Sequence, residues 1–158
     1  MSEPLCNPAD WRDAPILIDR NELEQLLPQR HELALLHGIV HHDAEQHFGV
    51  GIHECKPDDF WVRGHMPDRP LMPAVVMVEM AAQMAAWLAH GAIHVPEGRF
   101  IGFAGLDHAR FRGSVMPGQK LVIVAAPKRV RRKIAHFYSQ IFADDAMVFE
   151  GVIIGTAI

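Results

Sequence analysis

The run from Met72 to about His90, MPAVVMVEMAAQMAAWLAH, constrains this chain more than any other stretch. Pro73 suits a first helical position, where its missing N–H is harmless. Ala74, Ala81, Ala82, Ala85, Ala86 and Ala89 favour helix, and Gly91 is well placed just past its end. Apolar residues cover every face, so other structure must wrap this helix on most sides. The many alanines make it slim and let something approach closely. One carboxylate, Glu79, and one amide, Gln83, interrupt it. A carboxylate in an oily helix is costly to ionise, so its presence needs a reason.

What wraps the helix is read from the remaining periodicity. Phe100 to Leu106, Leu121 to Ala126, Ile134 to Ala143 and Met147 to Ala157 are rich in Val, Ile, Phe and small residues, as strands are. Pro117-Gly118 and the ADDA tetrad at 143–146 mark turns between them. Residues 33–56 suit two further strands around the polar turn HHDAEQ, and Asp19 to Leu27 a short helix. Asp19 or Asn21 caps that helix and Pro28 stops it. Residues 1–18, with Pro4, Pro8 and Pro15 and no period, read as an arm, and residues 19–158 as one domain. The predicted class is α+β: a long buried helix inside a curved antiparallel sheet, with the strands after the helix forming a meander.

Composition removes several functions. A chain of 158 residues, nearly half of them hydrophobic, supports one domain with a sizeable core. A net charge of −4 does not point to a general nucleic-acid binder, and no uncharged run reaches membrane-spanning length. The N-terminus lacks the basic start and apolar centre of an export signal. A cytoplasmic protein with Cys6 and Cys55 as free thiols is expected. The eleven histidines show no metal-ligand spacing, so no metal or organic cofactor is predicted.

The reason for Glu79 lies upstream. His65 sits on a Gly-His-Met-Pro turn fourteen residues before it. Histidine is the residue type that works as a base near neutral pH. The helix start near Ala74 and Val75 offers unpaired backbone N–H groups and the positive end of the helix dipole. Base, carboxyl group and oxyanion site together suit removal of a proton alpha to a carbonyl and expulsion of a beta leaving group. Each residue also has a plainer reading. His65 can be a turn histidine, Glu79 a buried hydrogen-bonded carboxyl group, and Gln83 a packing residue rather than a support for Glu79. Trp87, Met77, Met80 and Met84 read as core or tunnel wall.

These motifs resemble those of the FabZ-type beta-hydroxyacyl-[acyl-carrier-protein] dehydratases of the hotdog superfamily. The resemblance is carried by Phe60-Trp61-Val62-Arg63-Gly64-His65-Met66-Pro67 and by Pro70-Leu71-Met72-Pro73-Ala74-Val75, then Glu79 and Ala82-Gln83. It continues in Phe103 to Arg112, in Val115-Met116-Pro117-Gly118, and upstream in Leu27-Pro28-Gln29-Arg30. Asp68 and Ala74 stand where the family usually has glycine, Met66 where it has an aromatic residue, and residues 31–38 are largely rewritten.

The resemblance implies a hotdog fold and a homodimer, in some members a trimer of dimers, with His65 of one protomer meeting Glu79 of the other. It implies dehydration of a 3-hydroxyacyl thioester on acyl carrier protein, with His65 as base and Glu79 as acid. Ala74 or Val75 N–H would hold the thioester oxygen, with Gln83 and Gly64 in support. Glu rather than Asp at the helical position favours plain dehydration over isomerisation. The cluster Lys128, Arg129, Arg131, Arg132 and Lys133 reads either as a solvated strand end or as a docking patch for an acidic carrier, with Arg110 and Arg112 adding to it. A hotdog thioesterase and a non-catalytic hotdog partner subunit are the rival readings.

Overall fold

A computed structural model describes residues 2–158. In chain order its main elements are β1 (Ile18–Asp19), α1 (Arg20–Leu23), β2 (Gly38–Asp43), β3 (Phe48–Glu54), α2 (Ala74–Ala92), β4 (Ile101–Phe111), β5 (Lys120–Val130), β6 (Ile134–Ala143) and β7 (Ala146–Ala157). The strands form one antiparallel sheet in the order β1-β2-β3-β5-β6-β7-β4. The sheet curls around α2, with bulges in β4 between Asp107 and Arg110 and in β5 between Pro127 and Arg129. This is the hotdog architecture.

Two expectations about α2 and the strands after it need correction. Gly91 lies within the last helical turn, and the helix ends when Ile93, extended and buried, anchors in the core. The strands after α2 are not a simple meander. β4 goes to the far edge beside β7, and β5 returns to the middle between β3 and β6. The burial patterns supply the reason. Leu121 to Ala125 are all buried, so β5 needs cover on both faces, whereas β4 is half exposed along most of its length. The first helix is shorter than expected. A capping box joins Asp19 and Glu22 at 2.9 and 3.0 Å and starts α1 at Arg20, but it ends at Leu23.

The concave face packs on α2. Met80, Met84, Leu121, Ile123, Ile141 and Phe149 are at most 0% exposed each. A Cβ on Gly49 would lie 2.6 Å from Met84 Cε, so glycine on β3 lets the helix settle against the sheet. Met77, Met80 and Met84 are therefore core.

The convex face carries a second apolar cluster, Val40, Val50, Ile52, Val122, Val124 and Phe142, covered by Leu5, Cys6, Trp11 and Ala14 of the arm. Two histidines expected in a turn instead lie on β2. His41 stacks on Trp11 at 4.5 Å, and His42 meets Trp87 edge-on at 4.7 Å. Cys6 and Cys55 are free, and burial pushes their thiols up to about 11 and about 12.

Glu150 knots the arm to the sheet. Its carboxylate accepts from Ser2 Oγ, Tyr138 hydroxyl and Arg112, whose Nε lies 2.9 Å away. Nearby Gln140 donates to Glu3 O at 3.0 Å and accepts from Leu5 N–H at 2.7 Å. Burial pushes the Glu150 carboxyl group up, but the bonds from Ser2, Tyr138 and Arg112 outweigh it and hold it at about 2. Its folded value thus lies below the unfolded one, near 4.3. The resulting stability is present above the unfolded value and is lost as pH falls through the folded one. Urea midpoints are expected to drop more steeply between about pH 4.5 and 2 in the native chain than in Glu150→Gln. Parallel profiles would exclude this role for Glu150.

Candidate active site

The segment between β3 and α2 is a series of turns held by backbone bonds. His65 N–H donates to Trp61 O at 2.9 Å, Arg69 N–H to Met66 O at 2.7 Å, and Met72 N–H to Val115 O at 2.8 Å. Met66 holds a left-handed backbone, φ 57°, a conformation that strains a non-glycine residue just after the histidine. His65 Nδ1 lies 2.6 Å from Leu71 O. A carbonyl can only accept, so Nδ1 carries the proton and Nε2 keeps its lone pair. The half-buried ring is thereby held in one orientation, with no hydrogen bond to Nε2 among the described residues.

Glu79 stands half-buried on α2, and its neighbours assign its two oxygens different tasks. Gln83, one turn later and fully buried, accepts from Leu35 N–H at 3.0 Å and donates to Leu33 O at 2.7 Å. These two backbone groups fix which end of the amide is which. Gln83 Nε2 then donates to Glu79 Oε1 at 2.8 Å, and Gln29 Nε2 donates to the same oxygen at 3.2 Å. Oε1 is committed to accepting, so a proton on Glu79 belongs on Oε2. Gln83 thus hydrogen-bonds Glu79 as well as the backbone of residues 33 and 35.

The rewritten segment 31–38 is compatible with this because Gln83 reads its backbone, not its side chains. Leu35 is also held at its carbonyl by the buried His53, whose Nδ1 donates at 2.7 Å.

From Glu79 a groove runs between α2 and the strands β4 and β7. Ala82, Ala85, Ala86 and Ala89 form its helical wall at i, i+3, i+4 and i+7 spacing. Phe103, Phe137 and Ile154 line the opposite side. Larger residues at the four alanine positions would fill it. His65 does not line this groove, and no hydrogen bond joins it to Glu79 within the described residues of one chain.

Ala74 and Val75 are exposed at the first turn of α2, where Pro73 provides no side-chain cap and first-turn N–H groups lack intrahelical partners. Met66, Asp68 and Gly64 are exposed as well, and a Cβ on Gly64 would meet nothing within 4 Å. The structure offers no packing reason for that glycine.

The basic residues divide into two places. Lys128, Arg129, Arg131, Arg132 and Lys133 lie exposed on the β5–β6 hairpin, and none of them is in an ion pair among the described residues. Its backbone is held by His94 N–H on Arg132 O at 3.2 Å and by Thr156 Oγ1 on Lys133 O at 2.9 Å. Arg110 and Arg112 are not part of this patch. Arg110 pairs in register with Glu150, whereas the hairpin lies by Thr156, about 20 Å further along β7 at ~3.3 Å per residue. Arg112 is in addition neutralised by Glu150.

Sequence reasoning missed Gln29, Arg30 and Glu150. Gln29 and Arg30 were in view as part of the Leu-Pro-x-Arg element, but their partners are distant in sequence. No local signal marks Glu150.

Comparison with known proteins agrees with this geometry. Residues 27–152 match the FabA-like domain family. The chain is 34% identical to the 3-hydroxyacyl-[acyl-carrier-protein] dehydratase FabZ of Agrobacterium fabrum, covering 82% of each chain. It is 31% identical to the FabZ of Tolumonas auensis, covering 83% of this chain and 89% of that one. Its fold resembles a chain of the dehydratase heterocomplex ApeI:P from Xenorhabdus doucetiae, with a TM-score of 0.65 at 15% identity over 86% of this chain and 90% of that one. A hotdog fold, a groove headed by a held carboxyl group and matches over most of its length place the chain in the FabA-like family, among the FabZ-type 3-hydroxyacyl-[acyl-carrier-protein] dehydratases.

Proposed function

We propose that the protein removes water from (3R)-hydroxyacyl thioesters borne on acyl carrier protein, giving trans-2-enoyl thioesters for fatty-acid or related lipid synthesis. The observation that carries this reading is Glu79, held through Oε1 at the head of an alanine-walled groove suited to an acyl chain. His65 Nε2 takes the C2 proton. Glu79 Oε2 delivers a proton to the C3 oxygen as the C3–O bond breaks, and the C2–H electron pair becomes the new double bond. Ala74 or Val75 N–H holds the thioester oxygen while negative charge builds there. None of these steps calls for a metal or an organic cofactor.

The active unit in this reading is a homodimer, with His65 from one protomer and Glu79 from its partner. Two features favour it. β4 pairs only with β7, leaving an open edge on which Phe103 and Phe111 are exposed. The otherwise buried α2 leaves Val75, Val78, Glu79 and Ala82 partly or fully exposed on one stripe. No helix of the described residues is long and apolar enough to cross a membrane, which is compatible with a cytoplasmic enzyme.

The purified protein incubated with 3-hydroxybutyryl and 3-hydroxydecanoyl thioesters is expected to yield 2-enoyl products. Release of free thiol would instead identify a thioesterase, and no change a non-catalytic subunit.

The hairpin cations Lys128 to Lys133 form the carrier dock. Reversing their charges is expected to raise KM for carrier-borne substrate by about tenfold at low salt and to leave pantetheine-borne substrate unchanged. An unchanged KM for both would remove the patch from the mechanism.

A further inference from the structure

The turn Leu27-Pro28-Gln29-Arg30 is built to present one side chain. Leu27 is buried in the core. Arg30 binds three carbonyls: Nη1 donates to Leu27 O at 2.6 Å and to Gln29 O at 2.8 Å, and Nη2 to Glu24 O at 2.8 Å. The backbone on both sides of Gln29 is thereby held. Its amide orientation follows from its neighbour. Glu79 Oε1 already accepts from Gln83, which two backbone groups hold in place, so Gln29 must turn its N–H toward that oxygen. The other end of the amide, Gln29 Oε1, is buried, has no partner among the described residues, and belongs to a residue lining the groove. A buried carbonyl oxygen without a donor is uncommon and calls for an explanation.

We infer that Gln29 Oε1 accepts the hydrogen of the substrate's C3 hydroxyl group and so selects acyl thioesters that carry a hydroxyl there. The inference rests on the dehydratase reading for the identity of the substrate. The chemistry gives the contact a purpose. A leaving hydroxyl has one hydrogen of its own and gains a second from Glu79 Oε2. Holding the first on Gln29 Oε1 turns an oxygen lone pair toward the Glu79 proton. As C3–O breaks, the bond pair stays with oxygen and the proton from Glu79 completes the water, whose original O–H stays intact and hydrogen-bonded to Gln29 Oε1. His65 leaves the step protonated and Glu79 ionised, and return of a proton from one to the other resets the site. One amide thus binds both the acid and the group that the acid protonates.

The test uses amide-linked (3R)-hydroxybutyryl and butyryl pantetheine, whose C2 protons are too weakly acidic for turnover. By calorimetry the native protein is expected to bind the hydroxy analogue about tenfold more tightly than the butyryl analogue. Gln29→Leu is expected to bind both alike, with butyryl affinity within about twofold of native. Gln29→Met, of similar length, serves if the leucine variant does not fold. A hydroxyl preference retained in either variant, or absent from the native protein, overturns the inference. Turnover of the true thioesters is measured separately. A native protein that prefers the hydroxy analogue but forms no enoyl product retains Gln29 as the hydroxyl acceptor and sinks the dehydratase reading alone.

Discussion

His65→Ala and Glu79→Gln are each expected to hydrate crotonyl thioester on the order of 10²–10⁴ times more slowly than the native protein. His65→Ala removes the only ring nitrogen that the Leu71 carbonyl leaves free to take a proton. Glu79→Gln keeps the shape of the side chain but replaces the acid with an amide that has no proton of comparable acidity. With its carbonyl in the place of Oε1 it can still accept from Gln29 and Gln83, so the loss falls on the proton-donating oxygen alone. Both variants are expected to remain folded, since His65 lies on a surface turn and Glu79 is only half-buried.

Mixing the two inactive variants is more informative than either alone. Where the two residues of a site come from different protomers, random exchange in a two-fold dimer restores about a quarter of the sites. Where both come from one chain, mixing restores none. Full activity in either single variant would refute the assignment of roles, and a silent mixture would refute the split site.

Gln83→Leu is expected to lower stability by about 2–3 kcal/mol, because it strips partners from Leu35 N–H and Leu33 O without opening a cavity. It also frees Glu79 Oε1 from its shorter amide contact, 2.8 Å against 3.2 Å for Gln29. Misplacing an acid by about 1 Å costs on the order of 10²-fold in rate. The two effects are read independently, the first from the urea midpoint and the second from kcat at saturating substrate. A leucine variant with native values of both would show that Gln83 is filling space and nothing more.

Much of this was legible along the chain. The all-round apolar pattern of 72–90 announced a wrapped helix, and α2 is one. Of the strand-like runs after it, 134–143 is matched in full by β6 and 147–157 nearly so by β7, whereas β4 and β5 continue four to five residues beyond the runs at 100–106 and 121–126. Strand order was not legible. Period and turn residues report whether a segment is a strand, and only weakly which neighbour it takes. The continuous burial of Leu121 to Ala125 in β5 is the property that draws it to the centre. Gly91 misled for a related reason. Glycine ends a helix by default, but burial of Ile93 decides where this one stops.

The proposed acid and base were nominated from residue type and setting: a carboxylate where a carboxylate is expensive, and a histidine on a turn just upstream. The groove was foreshadowed by alanine spacing alone. Gln29, Gln83 and the backbone of Leu33 and Leu35 gained their meaning only through contacts 48–50 residues apart in sequence. Glu150 likewise acts through Ser2, 148 residues away.

Local chemistry thus determined which elements form and which side chains can move protons, because propensity and desolvation act on each residue where it stands. Tertiary structure decided which oxygen of Glu79 is held, which nitrogen of His65 is free, and that the two arginines near Glu150 are remote from the basic hairpin. Those outcomes depend on hydrogen-bond partners and strand register, and a partner brought in from a distant part of the chain leaves no periodic trace in it.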